Sequence, residues 1–184
     1  IVKDEDKELV KLFESTKGIF DEIVVAWNGT NPETKRICEE YGAKVIPYTW
    51  IDDFAHARNF SYEHSTTDLV MYLDAHDELI NPDQLKETIK NGFGSRPGIN
   101  VLELPYHYDH DEAGNCVMTL WVARVTKKGT FTWKGAIHEA LLPVTDFQKC
   151  RAENVYVKHN VDPDRVARSA ERNLRISKKE YERE

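Results

Sequence analysis

The residues Leu69 to Leu73 make a short apolar run that stops abruptly at Asp74-Ala75-His76-Asp77-Glu78. The run suits a strand buried on both faces, and the switch places a dense set of oxygen and nitrogen ligands at its carboxyl end. Open α/β sheets bind ligands at that edge. Asp74 and His76 are separated by the small Ala75, so both side chains can reach one cation, and the cation can hold a diphosphate. The competing reading is a solvated acidic turn after a buried strand. On these residues alone both readings stand.

The chain before this point alternates. Ile1 and Val2 read as the end of a first strand, so the chain is expected to begin partway along it. Leu9, Val10, Leu12 and Phe13 mark one face of a helix, and Gly18 ends it. Ile23 to Trp27 is a β-rich run, followed by the loop residues Asn28-Gly29-Thr30-Asn31 and by Pro32 at a helix start. The next helix spans Thr34 to Tyr41, Gly42 caps it, and Ala43 to Tyr48 form a strand. This β-α-β-α-β order with short connections predicts a parallel sheet covered by helices. Arg58 falls on the inner face of a helix near residues 54–64, where it serves either as a core salt bridge or as an anion clamp.

After Pro97 the pattern changes. Asn100 to Tyr108 and Cys116 to Val125 read as a hairpin, and Asp109-His110-Asp111 is taken as its solvated tip rather than a metal cluster. Residues 154–158 form another strand ending at His159-Asn160. Asp162 caps a last helix that opens with Pro163 and carries an apolar stripe of Val166, Ala170, Leu174 and Tyr181, with Arg183 at its far end. One domain accommodates all 184 residues.

Composition narrows the function. A formal charge of −7 disfavours non-specific adhesion to nucleic-acid phosphates, so an anionic ligand needs a metal or local donors. Cys38, Cys116 and Cys150 are scattered, odd in number and without a C-x-x-C pair, which supports neither a disulfide framework nor a zinc knuckle. A reducing cytoplasm fits best. No apolar run approaches the roughly 20 residues that span a bilayer.

Several segments together resemble family 2 glycosyltransferases: I-V-K-D-E-D at the start, A-H-A-R-N-F-S at 55–61, Y-L-D-A-H-D-E-L at 72–79, W-K-G-A-I-H-E at 133–139 and V-K-H-N at 157–160. The resemblance implies the GT-A fold: a Rossmann-like single domain whose central, mixed but mostly parallel sheet is flanked by helices, with a β-hairpin and a C-terminal helix. Residues 1–98 then form the nucleotide-sugar half, 99–161 the acceptor and catalytic half, and 162–184 the final helix. It further implies a divalent metal and transfer from a nucleoside diphosphate sugar, UDP being favoured. Lys3, Asp4, Glu5 and Asn28 would lie beside base and ribose. Arg58 would lie near the nucleotide, and Asp74 and Ala75 complete the expected nucleotide-binding set.

The family's usual D-x-D appears here as Asp74-Ala75-His76. The histidine keeps a metal ligand while removing a negative charge, which favours Mn2+ over Mg2+. Asp74, His76 and His159 are the expected metal ligands, with Asp77 as the shifted alternative to His76. Glu139 is the expected general base of an inverting transfer, unless pairing with Lys134 makes it structural. A non-catalytic nucleotide-sugar-binding domain and a nucleotidyltransferase remain as rival readings. The acceptor is left open among a glycan, a lipid-linked sugar, a protein side chain and a modified nucleic-acid base.

Overall fold

The computed structural model describes residues 1–160 and 163–182, without the side chains of 163–168. The expected cap Asp162 and Arg183 therefore lie outside the described residues, as does the side chain of Val166. The N-terminal part follows the expected alternation: α1 (Asp6–Ser15), β1 (Val24–Trp27), α2 (Pro32–Glu40), β2 (Lys44–Pro47), α3 (Phe54–Glu63) and β3 (Leu69–Met71). Local chemistry explains the boundaries. Asn31 accepts a hydrogen bond from the Glu33 amide ahead of Pro32, and Asp53 accepts one from the His56 amide at the start of α3. Leu9, Leu12 and Phe13 are the buried side chains of α1, and Leu9 and Phe13 share a core with Val2, Val25, Ile37 and Cys38. β1 and β2 are parallel, and Val2 bridges Trp27 in parallel on the other side.

A separate six-stranded sheet is built around a long hairpin, β5 (Ile99–His110) and β6 (Cys116–Lys127). Around it lie β4 (Asp77–Ile80), α4 (Leu85–Gly94), the hairpin of β7 (Phe131–Lys134) and β8 (Ala140–Pro143), β9 (Gln148–Arg151), β10 (Tyr156–His159) and α5 (Pro163–Tyr181). The strand order is β3-β6-β5-β10-β4, with β9 alongside β5. Leu79, Leu85, Leu102, Leu104, Val125, Val155 and Val157 form the core beneath it. Burying each such side chain contributes roughly 1.5–3 kcal/mol.

Strand pairing is mixed as expected, but the strands of the described residues fall into three sheets rather than one central sheet, with β1–β2 and β7–β8 as separate pairs, and the parallel share is smaller than the expectation of a mostly parallel sheet. β1–β2, β5–β10 and β5–β9 are parallel, whereas β3–β6, β5–β6, β4–β10 and β7–β8 are antiparallel. The reason is the tight 111–115 turn: it returns the chain as β6 directly beside β3, where a helical crossover would have brought a parallel neighbour. The acidic turn is also shorter than its sequence implied. Asp74, Ala75 and His76 make the turn, closed by the Asp77 amide donating to the Asp74 carbonyl at 2.8 Å. Asp77 and Glu78 already belong to β4. No helix among the described residues is long and apolar enough to cross a membrane.

Candidate active site

Arg58 joins the two halves of the chain. Its Nη2 lies 2.9 Å from Asp74 Oδ1, beyond the end of β3, and its Nε donates to Glu139 Oε1 at 2.7 Å, on the turn before β8. The guanidinium lies 4.7 Å from the Trp133 ring centroid and 5.2 Å from that of Tyr72, two rings that meet each other edge to face. Arg58 and Glu139 each keep 13% of their side-chain surface, whereas Asp74 keeps 41% and so faces solvent. Burial works against charge on Arg58, but Asp74 and Glu139 outweigh it and raise its pKa. Partial desolvation by the surrounding protein opposes ionisation of Asp74 although part of its side chain stays exposed, yet the Arg58 and Arg124 charges prevail and hold its pKa to about 2. Of the two readings of Arg58, the structure shows the ion pair, made with two carboxylates. The partner of Glu139 is Arg58, 81 residues away in sequence, rather than Lys134.

The Glu139 turn is fixed from two sides. Asn59 accepts from the Trp133 amide at 2.9 Å and donates to the Trp133 carbonyl at 3.0 Å, so the residue after Arg58 locks β7 to α3. Ala136 accepts from the Phe54 amide at 2.9 Å and donates to Glu180 of α5 at 2.6 Å. His138 takes a positive φ of 53°, the sharp bend that delivers Glu139 to Arg58.

Behind this surface lies a second ion pair that the sequence reading missed. Asp77, with no exposed side-chain surface, pairs with Arg124 at 3.0 Å. Its oxygens also accept from the Asp74 amide at 3.0 Å and the Tyr106 hydroxyl at 3.1 Å, and His159 Nδ1 lies at 3.4 Å. With both oxygens committed, Asp77 is a poor alternative to His76 as a metal ligand. The available signal was Arg124 itself, a charge within the apolar run Trp121-Val122-Ala123-Arg124-Val125, which demands a buried carboxylate.

The N-terminal residues gather at the other side of the turn. Asp4 Oδ1 accepts from the amides of Thr30 at 3.2 Å and Asn31 at 3.0 Å, and the Asn28 amide donates to the Val2 carbonyl at 3.0 Å. Gly29 fits because a Cβ there would lie 2.2 Å from the Lys3 carbonyl oxygen. Glu5 accepts from the Lys3 amide at 3.4 Å, and its other oxygen is 3.8 Å from His76 Nε2. Ala75 packs into the core beside Val2 and Val25. Lys3, Asp4, Glu5 and Asn28 therefore form one cluster that reaches the acidic turn through Glu5 and His76.

For a divalent ion the fit is uneven. His76 Nε2 is buried without a hydrogen-bond partner, and Asp74 keeps solvent-facing surface, so these two residues offer suitable donors. His159 instead directs Nδ1 to Asp77 and stacks on Tyr108 at 5.5 Å. Asp74, His76 and His159 do not bring three ligand atoms together; among the described residues that is done by His107, His110 and Cys116.

The family model described as Glycosyl transferase family 2 matches residues 1–140. The chain belongs to glycosyl transferase family 2. An uncharacterized glycosyltransferase of Rickettsia typhi is 30% identical over 95 residues, covering 52% of this chain and 32% of that protein. A TPR repeat-containing protein of Synechococcus elongatus is 40% identical over 80 residues, covering 44% of this chain and 20% of its own. The chain thus aligns with only a fifth to a third of these relatives. Its fold is GT-A. Glucosyl-3-phosphoglycerate synthase from Mycobacterium tuberculosis, solved with Mn2+, uridine diphosphate and glucosyl-3-phosphoglycerate, superposes with a TM-score of 0.56 at 14% identity, covering 90% of this chain and 72% of that one. A second mycobacterial protein gives a TM-score of 0.61 at 14% identity, covering 88% and 66%. At such identity the shared property of this family 2 domain and its neighbours is the fold.

Proposed function

We propose that this domain transfers a sugar from a nucleoside diphosphate donor, UDP being favoured, to an acceptor hydroxyl with inversion at the anomeric carbon. The observation that supports this reading most is the Arg58 bridge between Asp74 and Glu139. A diphosphate arriving beside Asp74 competes for the guanidinium, the side chain best suited to bidentate phosphate contact. Glu139 then loses its partner and becomes available to the acceptor. Lys3, Asp4, Glu5 and Asn28 are assigned to the base and ribose. Asp74 and His76 are assigned as protein ligands of a divalent ion, and the imidazole favours Mn2+ over Mg2+. When bound, the ion neutralises the diphosphate and stabilises the departing nucleotide. The Mn2+ and UDP bound to the structural neighbour guide the choice of probes.

In the transfer itself, the acceptor oxygen forms its bond to the anomeric carbon while the bond to the diphosphate oxygen breaks. The hydroxyl proton passes to Glu139 and the nucleotide departs with the electron pair of the broken bond. One displacement from the opposite face converts an α-linked donor to a β-linked product. Glu139→Gln keeps the size of the side chain and a contact to Arg58 but removes the base. Its turnover is expected to fall by about 10² to 10⁴ with donor KM little changed. Turnover retained with a raised donor KM would reduce Glu139 to a positioning residue for Arg58. A product of retained configuration would overturn the single displacement. Hydrolysis of a UDP-sugar without acceptor separates an enzyme from a binding-only domain.

A further inference from the structure

We propose that His107, His110 and Cys116 form a separate metal site for a thiophilic divalent ion of the Zn2+ type, at the open end of the β5–β6 hairpin. One ligand atom from each residue lies within 4.8 Å of the other two. In a regular strand, residues three apart point to opposite faces, so His107 and His110 should not meet. The register slips between His107 and Asp109 and again between Asp109 and His110. Such irregularities re-aim side chains. The slips bring His110 round to the face of His107, with ring centroids 6.4 Å apart, and Cys116 is the register partner of His110 across the hairpin.

This face differs from that of the acidic turn. Tyr108 stacks on His159, Tyr106 packs against it tilted and reaches Asp77, whereas His107 stacks on Tyr156 at 4.2 Å. That stacking restrains the first imidazole. Asp111 does not compete for the ion, because it accepts from the Ala113 and Asn115 amides and the Asn115 side chain to close the turn. Cys116 is exposed, which gives an ion an entry path.

The donor chemistry decides the class of ion. Thiolate with two imidazoles suits Zn2+ or Co2+, whereas Mg2+ takes oxygen ligands and Mn2+ prefers carboxylate, carbonyl and water. A tetrahedral ion with Zn–N of about 2.0–2.1 Å and Zn–S of about 2.3 Å spaces its donors by about 3.3–3.7 Å, so small side-chain rotations close the set. Three protein ligands leave the fourth position to water. The ion would tie β5 to β6 beyond the last β5–β10 pair, His107 with Lys158, where Val117, Met118 and Leu120 stand exposed.

Cobalt titration of the chelator-treated chain tests the assignment. One equivalent of Co2+ is expected to bind with a thiolate-to-metal charge-transfer band in the near ultraviolet, and Zn2+ should displace it. The band should persist with UDP present, in Asp74→Asn and in Cys150→Ser. It should vanish in Cys116→Ser, whose exposed position spares the fold, and affinity should fall at least about tenfold in His107→Asn and His110→Asn. Absence of the band, its survival in Cys116→Ser, its loss in Cys150→Ser or Asp74→Asn, or unchanged affinity in both histidine variants would overturn the site.

Discussion

Asp77 and Arg124 show what a single residue can carry in this fold. Both are almost fully buried, and each is the principal charge partner of the other. Removing one side of such a pair leaves an uncompensated buried charge. Asp77→Ala is therefore expected to lose about 3–5 kcal/mol of stability, read as a lower urea midpoint with an unchanged slope. Asp74 behaves differently because it keeps solvent contact. Its folded pKa of about 2 lies below the ordinary 3.8. A depressed folded pKa adds stability that is fully present above the unfolded value and is lost as pH falls through the folded one. Stability should thus decline from about pH 4 towards pH 2, and Asp74→Asn should flatten that part of the profile in thermal melts. A decline of equal depth in the variant would remove Asp74 from the account.

At the scale of elements, the contact between α3 and β7 positions the catalytic candidates. Arg58 and Asn59 are adjacent on α3; one holds Glu139 and the other holds the Trp133 backbone. Asn59→Ala leaves the Trp133 amide and carbonyl unpaired in a half-buried setting. The expected cost is about 2–3 kcal/mol, together with faster hydrogen exchange at the Trp133 amide. Unchanged exchange there would show that β7 is held by other contacts. The C-terminal helix contributes from the other side. Glu180 accepts from Ala136, while Asp52, whose pKa is lowered chiefly by its hydrogen bond from Arg175, pairs with both Arg175 and Lys179.

For the molecule as a whole, the net charge of −7 opposes an anionic donor unless local cations intervene. The site offers Arg58, already engaged by two carboxylates, and the donors Asp74 and His76. Protection by UDP against thermal unfolding should therefore require Mn2+, disappear in EDTA and be abolished in Asp74→Ala. A ligand present at about 100 times its Kd adds about 2.7 kcal/mol, a shift readily seen in a melt. Equal protection by UDP in EDTA and in Mn2+ would sink metal dependence without touching the assignment of the fold.

The sequence by itself determined the local order of the chain. Apolar periodicity, the Asn31-Pro32 and Asp53 helix starts and the abrupt Asp74-Ala75-His76 exit depend on neighbours a few residues away, so they are legible in one dimension. The A-R-N and H-E segments pointed to the family that the match over residues 1–140 then established. Only the tertiary structure decided which charges meet: Arg58 with Glu139, Arg124 with Asp77, and His159 with Asp77 rather than with Asp74 and His76. Those pairings depend on which strand lies beside which. The 111–115 turn set that by returning β6 beside β3, and periodicity carries no information about it. The gathering of His107, His110 and Cys116 depends on two register slips in one hairpin. A period-2 reading sends the two histidines to opposite faces, so their meeting was invisible until the ladder was paired.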